Sequence, residues 1–305
     1  MIIPPFKDHH IHFVINGRLP TKKELFFIRD SLIQHGIFSV NDMGHKSGIG
    51  LEAKKILNKC LNIESAVYAV YKKGTYGVFL GKGVSDIGDI KNVIQEIQNT
   101  KADFLKIVNS GIVSPRNGGM ITPGGFTLNE LRLICSYAKE IGIDKISCHV
   151  NGDASIKDAI TSGVSCIEHG YFISDETLLM MKEMNVSWTP TVYAMLSFAS
   201  CTSGHERQYI ESIVEKHLSS INHAASMGIR LCIGTDSGAK AIKHGGSFFE
   251  EMRLFKRAGL SLKQILNAAC MDKEEIDRGN YLVIKEDFID AKKIEAVFAN
   301  ARQIF

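Results

Sequence analysis

Short apolar runs alternate along this chain with segments whose apolar positions recur at helical spacing. The first run surrounds Asp8-His9-His10-Ile11-His12, with Ile2, Ile3 and Phe6 before it and Phe13, Val14 and Ile15 after it, and reads as a strand. Alternation along a strand puts Asp8, His10 and His12 on one face. A helix is expected over 21–35, opened by Thr21 in the capping position. Segment 36–42 reads as an apolar strand ending in Asp42, 51–61 as a helix, 63–71 as a strand, 72–88 as a glycine-rich loop and 91–98 as a helix. The next strand is 102–108, with Lys106 inside it, followed by a long loop over 110–125. Thr127 and Glu130 then form a capping box for a helix over 127–141. Strands at 145–150, 164–169, 186–192 and 229–235 alternate with helices at 154–161, 175–184 and 206–227, and helices at 248–258 and 262–270 follow.

Eight strand–helix units of this kind imply parallel strands joined by right-handed crossovers. The expected fold class is α/β, a closed (β/α)8 TIM barrel over residues 1–278. From Gly279 the pattern changes: 281–284 and 296–299 are short strand-like runs in a stretch too small to fold alone. Residues 279–305 are therefore expected to be a small C-terminal β appendage whose edges are covered by the barrel or by a second copy of the chain, a homo-oligomer.

Hydrophobic content of 45% and charged content of 23% describe an ordinary globular chain. A net charge of +3, with Lys and Arg scattered, gives no basis for a nucleic-acid partner. There is no apolar run of membrane-spanning length, so no membrane partner is expected. The N-terminal residues do not have the form of a secretion signal. Seven cysteines without a C-x-x-C suit free thiols in a reducing cytoplasm. Cys148 adjoins His149, but neighbouring strand residues face oppositely, so Cys148 is expected to pack against helices.

The chemistry lies where polar residues interrupt or end the apolar runs. His10 and His12 end the first strand, Lys106 lies near the end of the fourth, and His149, His169 and Asp236 end the fifth, sixth and eighth. Barrel active sites are built at those carboxyl ends. Taken singly, each histidine could be a satisfied core residue, and Lys106 could pair with Asp42. All six together point to a metal site, because neutral imidazole is the commonest metal ligand.

The stretches D-H-H-I-H (8–12), D-F-L-K-I (103–107), C-H-V-N-G (148–152), I-E-H-G (167–170) and G-T-D-S-G (234–238) resemble the amidohydrolase superfamily of metal-dependent hydrolases. The longer stretches 104–115 and 165–172 are similar to its branch of imidazolonepropionase-like proteins and Xaa-Pro dipeptidases. The resemblance runs from residue 6 to about residue 301. It implies two divalent metal ions, zinc first, held by His10, His12 and Asp236 on one side and His149 and His169 on the other. Lys106, carboxylated, would bridge them. A bridging hydroxide would attack, and Asp236 would be the catalytic residue that moves its proton to the leaving group. The implied activity is hydrolysis of an amide bond in a small molecule such as a dipeptide, N-acyl amino acid or cyclic amide. A lactonase or phosphotriesterase-like hydrolase on the same centre, or a non-catalytic metal-binding barrel, are the alternatives. The deaminase branch fits less well, because Lys106 is present and no glutamate closely follows His149.

Relative to that family, the N-terminal half of the usual β-sandwich is not expected here, and Asn151 stands where the resemblance implies a further polar or histidine residue in many members of the branch. Asp8 is expected to orient a ligand or accept a strand-end hydrogen bond, and Asp42 to be structural. His45 and His244 follow strands two and eight and are candidates to line the pocket. Arg116 in the 110–125 loop, an expected lid, is a candidate to bind a substrate carboxylate. Tyr193 and His244 are further substrate-binding candidates.

Overall fold

The computed structural model describes residues 1–59, 61–114 and 120–305. In chain order, β1 (Ile2–Ile3), β2 (Phe6–Ile11), α1 (Lys22–Gln34), β3 (Ile37–Asp42), α2 (Ile49–Leu57), β4 (Asn62–Ser65), β5 (Ala69–Lys72), β6 (Gly81–Val84) and α3 (Ile87–Asn99) make up the first part. Then come β7 (Leu105–Val108), β8 (Val113–Ser114), β9 (Met120–Ile121), α4 (Leu128–Glu140), β10 (Ile146–Val150), α5 (Asp153–Ser162), β11 (Cys166–His169), α6 (Asp175–Glu183) and β12 (Ser187–Thr189). They are followed by α7 (Val192–Ala199), α8 (Gly204–Ser226), α9 (Gly246–Arg257), α10 (Leu262–Ala269) and, after a short helical turn, β13 (Tyr281–Val283), β14 (Ala296–Ala299) and β15 (Arg302–Gln303). The cap expected at Thr21 and the capping box expected at Thr127 both form, and Glu24 completes a box at the first as Glu130 does at the second.

The strands are parallel in two sheets, β2-β3-β4 and β12-β11-β10-β7-β5-β6. Backbone bonds stitch the sheets together at both ends. Asp103 N–H donates to the Ser65 carbonyl at 2.9 Å, joining β4 to the chain entering β7. The extended segment 229–237 lies between β12 and β2. On one side the Trp188 N–H donates to Arg230 O and the Cys232 N–H to Trp188 O; on the other the His9 N–H donates to Ile233 O and the Asp236 N–H to His10 O. Helices pack outside, and one continuous apolar core fills the space between them and the strands.

Three local differences from the sequence pattern have physical reasons. Segment 63–71 is broken into β4 and β5 at Val67, whose φ of 60° turns the chain so that its halves pair with different neighbours. The strand expected over 186–192 stops at Thr189, because Pro190 has no N–H to donate and Thr191 is left-handed; the apolar residues after it form α7. The glycine-rich 72–88 stretch contributes β6, where Gly81 crosses Ala69 so closely that no side chain fits.

The tail is less isolated than its composition suggests. Pro4 and Pro5 interrupt the first apolar run, and Ile2–Ile3 leaves it to pair antiparallel with β13, giving a four-stranded sheet β1-β13-β14-β15. Leu282 and Val297 are buried beneath that sheet, and Phe288 packs on Phe6 and Phe249 with ring centroids 6.2 Å from each. No helix among the described residues is long and apolar enough to cross a membrane.

Candidate metal centre

The strand pattern brings the six expected ligand residues to one cavity of about 290 Å³, which His10, His12, Lys106, His149, His169 and Asp236 all line. Ligand atoms of His10, His12 and Asp236 lie within 4.8 Å of one another. The Nε2 atoms of both histidines are 3.4 Å from Asp236 Oδ1. His169 is the hinge of the cluster, its ring 5.0 Å from His10 and 4.5 Å from His149. Two of these side chains sit on strained backbone: His169 has φ of 65° and Asp236 of 57°. Non-glycine residues adopt such angles at a cost of roughly 1–3 kcal/mol, and do so mostly where function needs the direction they give. Gly234 lets the strands close up here, since a Cβ there would lie 2.8 Å from His10 Cβ.

Each imidazole is turned by a bond on its far nitrogen. His10 Nδ1 is 2.6 Å from Glu168 Oε2, His12 Nδ1 is 3.0 Å from the Gly44 carbonyl, and His169 Nδ1 is 2.7 Å from Thr191 Oγ1. These contacts hold the ring and leave Nε2 as the nitrogen available to a metal. His149 is the reverse: its Nε2 meets the Gly111 carbonyl at 3.3 Å, which leaves Nδ1.

Burial lowers the His149 pKa to about 3 and that of His169 well below its ordinary value, so both are neutral imidazoles at pH 7. For His10 burial acts the same way, but the Glu168 carboxylate against its Nδ1 leaves it raised. Burial would raise the Asp236 carboxyl, yet His10 and His12 hold it well below the carboxylate range. Lys106 is 1% exposed, and its ammonium has one long hydrogen bond, 3.5 Å to Ser147 Oγ. Burial pushes its pKa down, with Glu168 opposing. It does not pair with Asp42, whose carboxylate accepts from Ser65 Oγ and the Phe13 N–H. The donor set of four imidazoles, a carboxylate and an uncharged-prone amine fits divalent metal.

Asp8 accepts from the His10 and Thr235 N–H groups and from Thr235 Oγ1, so it ties the first strand to segment 229–237 rather than joining the cluster. Burial raises its pKa to about 7. Asn151 lines the cavity and accepts from the Tyr171 N–H. His45 also lines it. His244 does not: its Nε2 bonds the His12 carbonyl at 2.9 Å, behind the ligand. Tyr193 is likewise displaced. Because the chain turns into α7 at Thr191, Tyr193 lines a separate surface groove with Glu250 and Arg253. Arg116 lies outside the described residues. Cys148 is buried in the core, and burial pushes its thiol strongly up, away from nucleophilic use.

Several residues of the site were not anticipated. Glu168 was visible only as a letter of the I-E-H-G stretch. Tyr76 and Phe79 from the loop before β6, and Ala194, Met195 and Phe198 from α7, line the cavity. Glu251, fully buried on α9, caps α7 by accepting from the Val192 N–H at 2.8 Å and the Tyr193 N–H at 2.7 Å. Burial raises its carboxyl from 4.5 to about 8. The unfolded chain ionises this group above 4.5 while the fold keeps it protonated, so its contribution to stability is whole below that pH and is lost as pH rises toward 8. Glu251→Gln should therefore remove one component of the pH dependence. The difference in Tm between wild type and variant, melted at several pH values across that window, is expected to fall steadily and level off above it.

A model of the amidohydrolase family matches residues 1–275. An uncharacterized protein of Mycobacterium bovis is 26% identical over 133 residues, 42% of this chain and 35% of the relative. The ochratoxinase of Aspergillus niger is 24% identical over 271 residues, 78% of this chain and 54% of the relative. The chain thus spans about half or less of the length of these relatives. Among solved structures, a Xaa-Pro dipeptidase with methionine in its active site superposes with a TM-score of 0.78 at 19% identity, covering 99% of this chain and 86% of that one. The A. niger ochratoxinase structure gives 0.78 at 18% identity, covering 99% and 82%. Those structures share the fold, and the family model, which takes in all six cavity-lining ligand residues, places this chain in the amidohydrolase family.

Proposed function

We propose that this chain is a metal-dependent hydrolase that cleaves an amide bond of a small molecule such as a dipeptide, an N-acyl amino acid or a cyclic amide. The observation that carries the reading is the convergence of six ligand-type side chains, from five separate segments, on one cavity. The backbone bonds joining 229–237 to both β12 and β2 support a closed (β/α)8 barrel with the site at its carboxyl end. We read 1–278 as that barrel and 279–305 as an appendage built onto it.

His10, His12 and Asp236 would hold one divalent ion and His149 and His169 a second, zinc being the best match to the donors. Two such ions supply Lewis acidity and a water made acidic enough to ionise near neutral pH. Lys106, its proton already disfavoured by burial, is suited to exist as the free amine, which can combine with carbon dioxide and release its proton to solvent; as a carbamate it would offer oxygens to a bound divalent ion. Asp236 reaches toward both His10 and His12 and is the group placed to take a proton from the attacking water and return it to the departing nitrogen. Glu168, Gly44 and Thr191 fix the rings.

Protein expressed in metal-replete medium is expected to contain about two divalent ions per chain, as in bridged two-ion sites. Elemental analysis checks this, alongside a hydrolysis screen of dipeptides, N-acyl amino acids and cyclic amides before and after chelation. Activity lost on chelation and regained with zinc is the expected result. Reproducibly metal-free protein that was never chelated would overturn the reading, and metal without any amide hydrolysis would leave a binding protein.

A further inference from the structure

Above the ligand cluster the cavity changes character. Its mouth is formed by Phe79 and Leu80 before β6, Ile112 before β8, and Met195 and Phe198 on α7. Phe79, Ile112 and Phe198 are 46%, 44% and 48% exposed, and what marks them is not exposure singly but their meeting around one cavity. They come from three separate segments yet line one opening. Apart from Lys106 and Asp236, no Asp, Glu, Lys or Arg is among the described residues lining it. A charged group entering there would lose its water without finding a further oppositely charged partner among the described residues.

The wall is preformed. The Phe79 carbonyl accepts from the Lys46 N–H at 3.0 Å, and the Leu80 N–H donates to Gly77 at 2.8 Å. Tyr76 packs edge-on against Phe79 at 5.5 Å and over the His149 ring at 5.2 Å, so the apolar wall runs continuously down to a ligand. Met195 adds a flexible side chain that can adapt to different shapes. On the far side, α7 is held by the Glu251 cap.

We propose that this apolar mouth selects molecules carrying a bulky, uncharged hydrocarbon group beside the group held at the ligand cluster. The inference rests on the hydrolase reading for the word substrate, and the selection itself can be read without turnover.

The test has two arms. In the first, dipeptides and N-acetyl amino acids are varied at each position among Leu, Phe, Ser, Asp and Lys. At one position Leu and Phe are expected to exceed Asp and Lys in kcat/KM by tenfold or more, on the order of what apolar pockets discriminate. In Phe198→Asp and in Ile112→Asp that ratio should collapse toward one while metal content stays at the wild-type value. In the second arm the uncharged fluorophore N-phenyl-1-naphthylamine is titrated into the metal-loaded protein, with binding expected for wild type and lost in both variants. Hydrolysis of Asp and Lys members as fast as Leu and Phe members would keep the hydrolase reading and overturn this inference. No turnover at all, with fluorophore binding that depends on Phe198 and Ile112, would overturn the hydrolase reading and keep the apolar mouth. Fluorophore binding that survives both substitutions, or that wild type never shows, overturns the mouth as a selecting surface.

Discussion

Lys106→Ala is expected to fold, to lose most of its bound metal and to fall in kcat on the order of a thousandfold, the scale of removing one strong electrostatic contact at a reacting centre. Lys106 is fully enclosed on a strand of apolar neighbours, with a single long hydrogen bond. A permanent ammonium there, beside four imidazoles, would be desolvated and poorly paired. A neutral amine converted to a carbamate instead becomes an anionic, two-oxygen ligand, which is what two adjacent cations attract. Short carboxylic acids added to the variant should restore part of the metal and part of the activity by supplying those oxygens. Reloading of metal-stripped wild type should be faster with bicarbonate present. Elemental analysis, steady-state kinetics and a reloading time course measure all three. A variant with full metal content and near-normal kcat would refute the bridging role, as would a bicarbonate-independent reloading rate.

The second large effect is expected at Glu168. Its carboxylate accepts from Ser147 Oγ at 2.6 Å and from Cys166 Sγ at 3.3 Å, and meets His10 Nδ1 at 2.6 Å. Burial alone would raise its pKa, but as long as Lys106 is still an ammonium, that group and His10 hold the carboxyl far below the carboxylate range, so it is an anion buried in the centre of the fold. Removing one partner of such a group strands the others. Glu168→Ala should cost about 3–5 kcal/mol in folding stability. It should also weaken metal binding about 10- to 100-fold, because His10 loses the bond that aims it. Glu168→Gln keeps one acceptor oxygen and is expected to fall between. Urea denaturation and competition with a chelator separate the two effects. Unchanged metal affinity in the alanine variant would reduce Glu168 to a structural role.

What could be read before the structure was known follows a physical division. The six candidate ligand residues stood out as a set, because imidazole, lysine and carboxylate side chains seldom all close apolar strand ends without something charged to hold. The residues that orient them did not, because their partners are remote: Glu168 lies 158 positions from His10. The sequence pattern runs a strand to Val192 and assigns no element to 193–199, since a short apolar run fits either a buried strand or a helix. Pro190 and the left-handed Thr191 decide in favour of the helix. That turn moved Tyr193 out of the cavity and put Met195 and Phe198 in. Tyr76 and Phe79 were hidden in a stretch whose glycines suggested only a loop.

The pairing of Ile2 with Val283 and of Ile3 with Leu282 also sets a timetable. At translation rates of roughly 5–20 residues per second, β1 waits on the order of tens of seconds for its partner to leave the ribosome. Phe6, at the root of the strand that carries His10 and His12, waits for Phe248 and Phe288 over the same interval. Asp236 also arrives late, so the first two histidines stay without their carboxylate until most of the chain exists. Candidate ligands that are made first are thus among the last to be seated, so any metal they hold is expected to load onto the finished chain rather than the growing one.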